Sequence, residues 1–257
     1  MPALRPDRTI ALRRVGHKGA DLIEPGNTRE SFDAALAHGV DMIEFDVLPA
    51  LGADGRPDAA RGELLLAHDY TDAHERTPLT LEEGLAHLAS PAFASLEFDV
   101  DLKIPGYEER VVAALREHDL IERALISSTY TESLARIRRL EPALRLGWSV
   151  PRVRRDWLAS PLTKVPAYVG LGVFRARLPA AYARHHAAGR CDALMAHWAL
   201  VTPRLVRTVR GAGGELYAWT VDEPARIGRL ERLGVTGVIT NDPRLFAQLP
   251  SVQLAAE

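Results

Sequence analysis

Short apolar runs alternate along the chain with longer stretches in which apolar residues recur every three or four positions. The short runs predict strands over 10–17, 41–48, 95–103, 124–128, 144–150, 192–198, 215–221 and 237–241. The longer stretches predict amphipathic helices over 28–38, 81–88, 107–118, 131–140, 203–211 and 224–233, with Phe32, Ala35 and Leu36 showing the spacing. Local signals mark several ends. Thr80 precedes Glu83 by three residues, the pattern of a capping box. Pro203 and Pro224 stand where helices open, and Gly39 and Gly234 where they close.

Strands that alternate with helices pair in parallel through right-handed crossovers. Eight such units in 257 residues predict an α/β fold, a (β/α)8 TIM barrel, as one domain over 1–257 with its core at about 10–247. An open doubly wound sheet competes, but no glycine-rich dinucleotide turn follows the first strand. Two stretches depart from the repeat. Residues 49–63, rich in Gly, Ala, Asp and Pro, read as an excursion leading into an apolar run at 64–67. Residues 152–169 carry prolines and read as a loop with a short helix over the barrel mouth.

Composition places the chain among globular proteins, with 47% hydrophobic and 26% charged residues. A net charge of −2 excludes a polycationic nucleic-acid binder. Basic clusters at Arg136, Arg138, Arg139 and at Arg152, Arg154, Arg155 read as solvated faces and loops. The one cysteine, Cys191, has no internal partner and fits a reducing compartment. Residues 1–14 lack the apolar core of a signal peptide, and no run approaches a membrane-spanning length. The expectation is a cytoplasmic protein acting on a small molecule, with no nucleic-acid partner.

In a barrel of this kind, chemistry gathers at the C-terminal ends of the strands. Those ends hold His17 and Lys18, then Glu44 and Asp46, then Asp99, Asp101 and Lys103, and later Trp219; a short segment after the second strand ends in His68 and Asp69. Strand alternation puts Glu44 and Asp46 on one face, and Ile43, Phe45 and Val47 on the other. If the apolar set meets the helices, two carboxylates point to the barrel axis, where a hard divalent ion or an arginine answers their repulsion. The third strand repeats the device. Asp101 reads as a third metal ligand, with Lys103 facing an anionic substrate; a salt-bridge ladder is the other reading. Glu97, deeper in the same strand, suits a pair with Arg13. His17 and His68 each close an apolar run ahead of a polar loop, where two histidines suit a general acid–base pair. His38, His87 and His118 fall at helical positions and read as exposed, and His185 and His186 read as a solvated helix end. His197 ends a strand and is a weaker candidate for the pocket.

The order of these motifs resembles the glycerophosphodiester phosphodiesterase family. The matching segments are Gly16-His17-Lys18-Gly19-Ala20, Pro25-Gly26-Asn27-Thr28-Arg29-Glu30-Ser31-Phe32, Met42-Ile43-Glu44-Phe45-Asp46-Val47, His68-Asp69, Asp101-Leu102-Lys103, Trp219-Thr220-Val221 and the stretch from Gly237 to Pro243. The resemblance implies a barrel that hydrolyses glycerophosphodiesters to sn-glycerol 3-phosphate and an alcohol. It implies His17 and His68 as acid and base, and Glu44, Asp46 and Asp101 as ligands of one divalent cation, Mg²⁺ or Ca²⁺. Lys18, Lys103 and Trp219 then contact the substrate. The chain departs from the family pattern in four places. Lys18 replaces an arginine, Gly26 replaces a glutamate, Asp101 replaces a longer glutamate, and only a short stretch separates His68 from the third strand. A phospholipase D-like enzyme of the sphingomyelinase D type, cleaving lysophospholipids to a cyclic phosphate, shares the same barrel. An inactive phosphate-binding barrel is the non-enzymatic alternative.

Overall fold

A computed structural model describes residues 11–152 and 161–249, with 161–169 as backbone only. In chain order the strands are β1 (Arg13–Gly16), β2 (Met42–Pro49), β3 (Leu64–Leu65), β4 (Glu97–Leu102), β5 (Ala124–Ser128), β6 (Arg145–Val150), β7 (Ala193–His197), β8 (Glu215–Trp219) and β9 (Gly237–Thr240). All but β3 run parallel, and β1 pairs with both β2 and β9, which closes the ring. The crossovers carry α1 (Arg29–Ala37), α2 (Tyr70–Glu75), α3 (Leu81–Leu88), α4 (Glu108–Glu117), α5 (Thr131–Leu140), α6 (Pro161–Ala187), α7 (Pro203–Gly211) and α8 (Pro224–Leu233). This is the expected (β/α)8 barrel, and no described helix is long and apolar enough to cross a membrane.

The helix starts follow the sequence signals. Thr28 and Ser31 cap each other at the head of α1, and Thr80 and Glu83 do the same for α3. Gly234 ends α8 with φ +84°, a left-handed conformation that only glycine adopts cheaply. The excursion after β2 returns through β3, which pairs antiparallel with Leu48 and Pro49 and so carries the chain back to His68.

Alternation in β2 and β4 sorts the residues as expected. Ile43, Phe45, Val47, Phe98, Val100 and Leu102 are buried against Phe32, Leu85 and Val111 of the surrounding helices. Each such side chain contributes about 1.5–3 kcal/mol by leaving water. The inward residues form layers. At the bottom, Glu97 pairs with both Arg13 and Arg145, and Arg145 reaches Glu215 at 3.4 Å. Above this charged layer lies an apolar plug of Val15, Met42, Leu125, Met195, Tyr217 and Ile239. The top layer carries the polar groups of the mouth.

Residues 152–169 correct the sequence reading. Residues 153–160, including Arg154 and Arg155, lie outside the described residues, and from Pro161 onward the chain is one 27-residue helix rather than a short one. The helix anchors through Leu178 and Tyr182, both buried beside Leu194 and Leu216.

Candidate active site

The loop after β1 packs against Glu44 and Asp46. Lys18 sits at φ +50° and Asn27 at φ +59°, left-handed conformations that cost non-glycine residues roughly 1–3 kcal/mol each. Those conformations serve the acids. The Lys18 N–H donates to Glu44 Oε2 at 2.8 Å, while Asn27 Nδ2 donates to Asp46 Oδ2 at 3.0 Å and Asn27 Oδ1 accepts the Asp46 N–H at 3.1 Å. Asp21 closes the loop from inside: it accepts the Gly26 N–H at 2.9 Å and holds the Lys18 ammonium at 2.5 Å.

Glu44, Asp46 and Asp101 each offer one oxygen within 4.8 Å of the others. Lys103 lies beside them, 2.5 Å from Asp46 and 2.7 Å from Asp101. Electrostatics show how crowded the acids are. Burial, then the nearby Asp46 charge, raises Glu44 well above the ordinary carboxylate range. Burial acts the same way on Asp46, but the charges of Lys103, His17 and His68 outweigh it and keep Asp46 ionised. Asp99, buried on the cavity floor beneath Asp101, is pushed up to about 8 by burial and by that neighbour. Burial opposes the Lys103 charge, yet Asp101, Asp46 and Glu44 hold it firmly protonated. Four acids, Glu44, Asp46, Asp99 and Asp101, crowd around one ammonium, that of Lys103, which sits on Asp46 Oδ1 and Asp101 Oδ2. An oxygen-only, anionic donor set of this kind fits a hard divalent ion.

His17 stands at the rim of β1. Its Nδ1 lies 2.6 Å from Asn241 Oδ1, an amide oriented in turn by Asp222, which accepts the Asn241 side-chain N–H at 2.7 Å and its backbone N–H at 2.9 Å. This chain assigns the proton to Nδ1 and leaves Nε2 as an acceptor, 3.8 Å from Glu44. Burial lowers the His17 pKa below the usual 6.5, only partly offset by Asp46 and Asn241. His68 is half-exposed, its Nδ1 3.2 Å from Asp69 and its backbone N–H held by Asp72 at 2.9 Å. Both histidines, Glu44, Asp101, Lys103 and Trp219 line one cavity of about 540 Å³, a size that suits a small molecule.

Of the candidates read from sequence, Lys18 alone keeps its side-chain charge away from this cavity, on Asp21; Asp46 lies beneath the lining, covered by Lys103. His197 stands behind the wall, edge-on to Trp219 with ring centres 5.5 Å apart. Arg152, read as a solvated loop residue, is exposed and also lines the cavity, as do Ser127, Tyr130 and Ser149. Other histidine readings change as well. His87 and His118 are only part-exposed and pair with Asp33 and Glu82, while His186 bonds the Cys191 and Ala212 carbonyls and His185 packs at a tilt against Trp148. Asn27, Asn241 and Asp222 carry no chemical signal of their own in the sequence; Asn27 and Asn241 lie within the matching segments, and Asp222 lies just beyond Trp219-Thr220-Val221.

A family model described as the glycerophosphoryl diester phosphodiesterase family matches residues 73–245. A glycerophosphodiester phosphodiesterase of Caldanaerobacter subterraneus is 26% identical over 91% of this chain and 96% of its own length. Among solved structures, one described as a putative glycerophosphodiester phosphodiesterase from Galdieria sulphuraria superposes with TM-score 0.71 at 18% identity, covering 94% of this chain and 99% of that one. A phosphodiesterase from Oleispira antarctica, solved with the product sn-glycerol-3-phosphate, superposes with TM-score 0.64 at 19% identity, covering 92% and 95%.

Proposed function

The chain belongs to the glycerophosphoryl diester phosphodiesterase family, and from that premise we propose that it hydrolyses glycerophosphodiesters to sn-glycerol 3-phosphate and an alcohol, with a divalent cation and two histidines. The observation that carries this reading is the single cavity in which two histidines face three clustered carboxylates and a lysine. Glu44, Asp46 and Asp101 would hold the cation, Mg²⁺ or Ca²⁺. When bound, such an ion neutralises phosphate oxygens and acidifies a bound hydroxyl.

The protein's own groups supply the rest. Lys103 is kept charged by its acidic neighbours and meets a phosphate oxygen as a fixed cation. His17 Nε2, unprotonated because Nδ1 is tied to Asn241, takes the proton from the neighbouring glycerol hydroxyl as that oxygen attacks phosphorus. His68, oriented through Nδ1 by Asp69, gives its proton to the departing alcohol oxygen as the P–O bond breaks. In the second step water replaces the alcohol. His68 takes a proton from water as its oxygen bonds phosphorus, and His17 returns its proton to the glycerol oxygen, which opens the cyclic ester. Trp219 offers a flat apolar wall for the glycerol carbons, buttressed by His197. The single, buried Cys191 suits a reducing cytoplasm.

The test is release of glycerol 3-phosphate from glycerophosphocholine and glycerophosphoethanolamine with Mg²⁺, Ca²⁺ or chelator. Release that depends on the cation is the expected result. Cleavage of lysophospholipids to a cyclic phosphate, with no action on the water-soluble diesters, moves the chain to the phospholipase D-like reading; the half-exposed His68 is the feature that leaves room for such a substrate.

A further inference from the structure

The cavity is divided by charge. Its acids, its lysine and its two histidines stand on the β1, β2 and β4 side. The side formed by the ends of β5 and β6 is lined by Ser127, Thr129, Tyr130, Ser149, Pro151 and Arg152, and Arg152 is the one formal charge there. No carboxylate stands on that wall among the described residues.

Arg152 differs from the arginines of the barrel interior. Arg13 and Arg145 are both committed to Glu97. The Arg152 guanidinium instead lies 3.8 Å over the Tyr130 ring and makes no ion pair with a described carboxylate. A ring under one face fixes the guanidinium plane and leaves its edge N–H groups free, the geometry that grips phosphate or carboxylate with two parallel hydrogen bonds. The charge therefore rests on a ring, and among the described residues no carboxylate takes it up.

On the reading given above, the diester's own phosphate belongs to Lys103 and the carboxylate cluster, so the part of the substrate that reaches the β5–β6 wall is the alcohol. A cationic alcohol there meets the Arg152 guanidinium and, among the described residues, no compensating acid. An alcohol with an anionic group meets a preorganised partner. We propose that Arg152 on its Tyr130 platform is a leaving-group subsite that selects glycerophosphodiesters whose alcohol carries a second phosphate or carboxylate. This inference rests on the proposed reaction and names its substrate class.

The test compares kcat/KM for glycerophosphoinositol 4-phosphate, glycerophosphoinositol and glycerophosphocholine, which differ in the charge of the alcohol. The expected order falls from the first to the last, with the phosphorylated diester at least ~10-fold ahead of its parent, equivalent to one charge-assisted contact. Arg152→Ala brings that ratio to within about twofold, and Arg152→Glu reverses it. Tyr130→Phe keeps the platform and the preference; Tyr130→Ala loses most of it. Equal rates for all three diesters in the wild type, or a ratio indifferent to Arg152→Ala, overturns the subsite while leaving the reaction standing. No release from any diester overturns the reaction instead; calorimetric binding of the same three compounds to wild type and Arg152→Ala then judges the subsite by the same ratio.

Discussion

Replacing Asn27 separates the backbone of the β1 loop from the clamp it places on Asp46. Asn27 and Asp46 are both fully buried, and two hydrogen bonds of 3.0 and 3.1 Å join them. The first runs to an ionised carboxylate and is worth about 1.5–3 kcal/mol; the second, a neutral pair, adds about 0.5–1.5 kcal/mol. Asn27→Gly keeps the left-handed backbone at no steric cost and removes both bonds, so the cation-free protein loses roughly 2–4 kcal/mol. Asn27→Ala loses about 1 kcal/mol more, because alanine resists φ +59°. Urea unfolding in chelator measures both. Calorimetric titration with Mn²⁺ or Mg²⁺ provides the functional reading, where a freed Asp46 weakens binding by ~10–100-fold. Asn27→Gly within ~0.5 kcal/mol of wild type, with unchanged cation affinity, would show that the clamp orients nothing.

Asn241→Ala removes the acceptor that fixes the His17 tautomer and lowers kcat by about 10–100-fold, the range of one hydrogen bond to a charged group. In the wild type, where burial lowers the His17 pKa, the acid limb of kcat/KM lies below pH 6.5 in steady-state profiles, and Asn241→Asp moves it upward by adding a negative charge. Asp99 carries the stability signature. Its carboxyl is pushed up to about 8 in the fold against 3.8 when exposed, so the unfolded chain releases that proton first and stability drains away as pH rises through that window, by about 1.4 kcal/mol per unit. Asp99→Asn removes this slope, and chelated unfolding curves from pH 5 to 8 reveal it. Glu97→Ala leaves Arg13 and Arg145 facing each other at the barrel floor; since these groups are nearly a third exposed, the cost is about 1–3 kcal/mol, read by denaturation, with cation affinity untouched. Gly26→Ala drives a Cβ to within 2.4 Å of Asp21 Oδ1 and 2.8 Å of Lys18 Cβ, and lowers kcat/KM by tenfold or more; the same change costs much less in an Asp21→Ala background, a coupling that a double-mutant cycle measures.

Much of this site is written in strand alternation. Glu44 and Asp46 turn inward because Ile43, Phe45 and Val47 must turn outward, and that pattern needs no knowledge of the fold. Glu97 and Arg13 meet for the same reason, each being the inward residue at the bottom of its strand. The reading fails where function depends on neighbours far apart in the chain. Arg152 is exposed, as read, but its place at the cavity wall was hidden because its ring partner, Tyr130, belongs to the end of a different strand. Asn27 and Asn241 carry no chemical signal in the sequence because the groups they hold, Asp46 and His17, lie far from them along the chain. Gly26 looked like a lost carboxylate, but its missing side chain makes room for Asp21, an acid supplied from five residues earlier. The α6 helix was hidden by prolines that punctuate loops more often than they lie within helices. His186, which bonds two backbone carbonyls, shows that a helix-end histidine can be a structural strut.

On the proposed reaction, His17 and His68 share one proton relay across a phosphodiester. The most direct measurement is glycerol 3-phosphate release by His17→Ala and His68→Ala, each checked for melting temperature and for cation binding by calorimetry. Both variants are expected to fold and to bind the cation, and each to lose ~10²–10⁴-fold in turnover. Either variant retaining near-full activity would contradict it and remove that histidine from the chemistry.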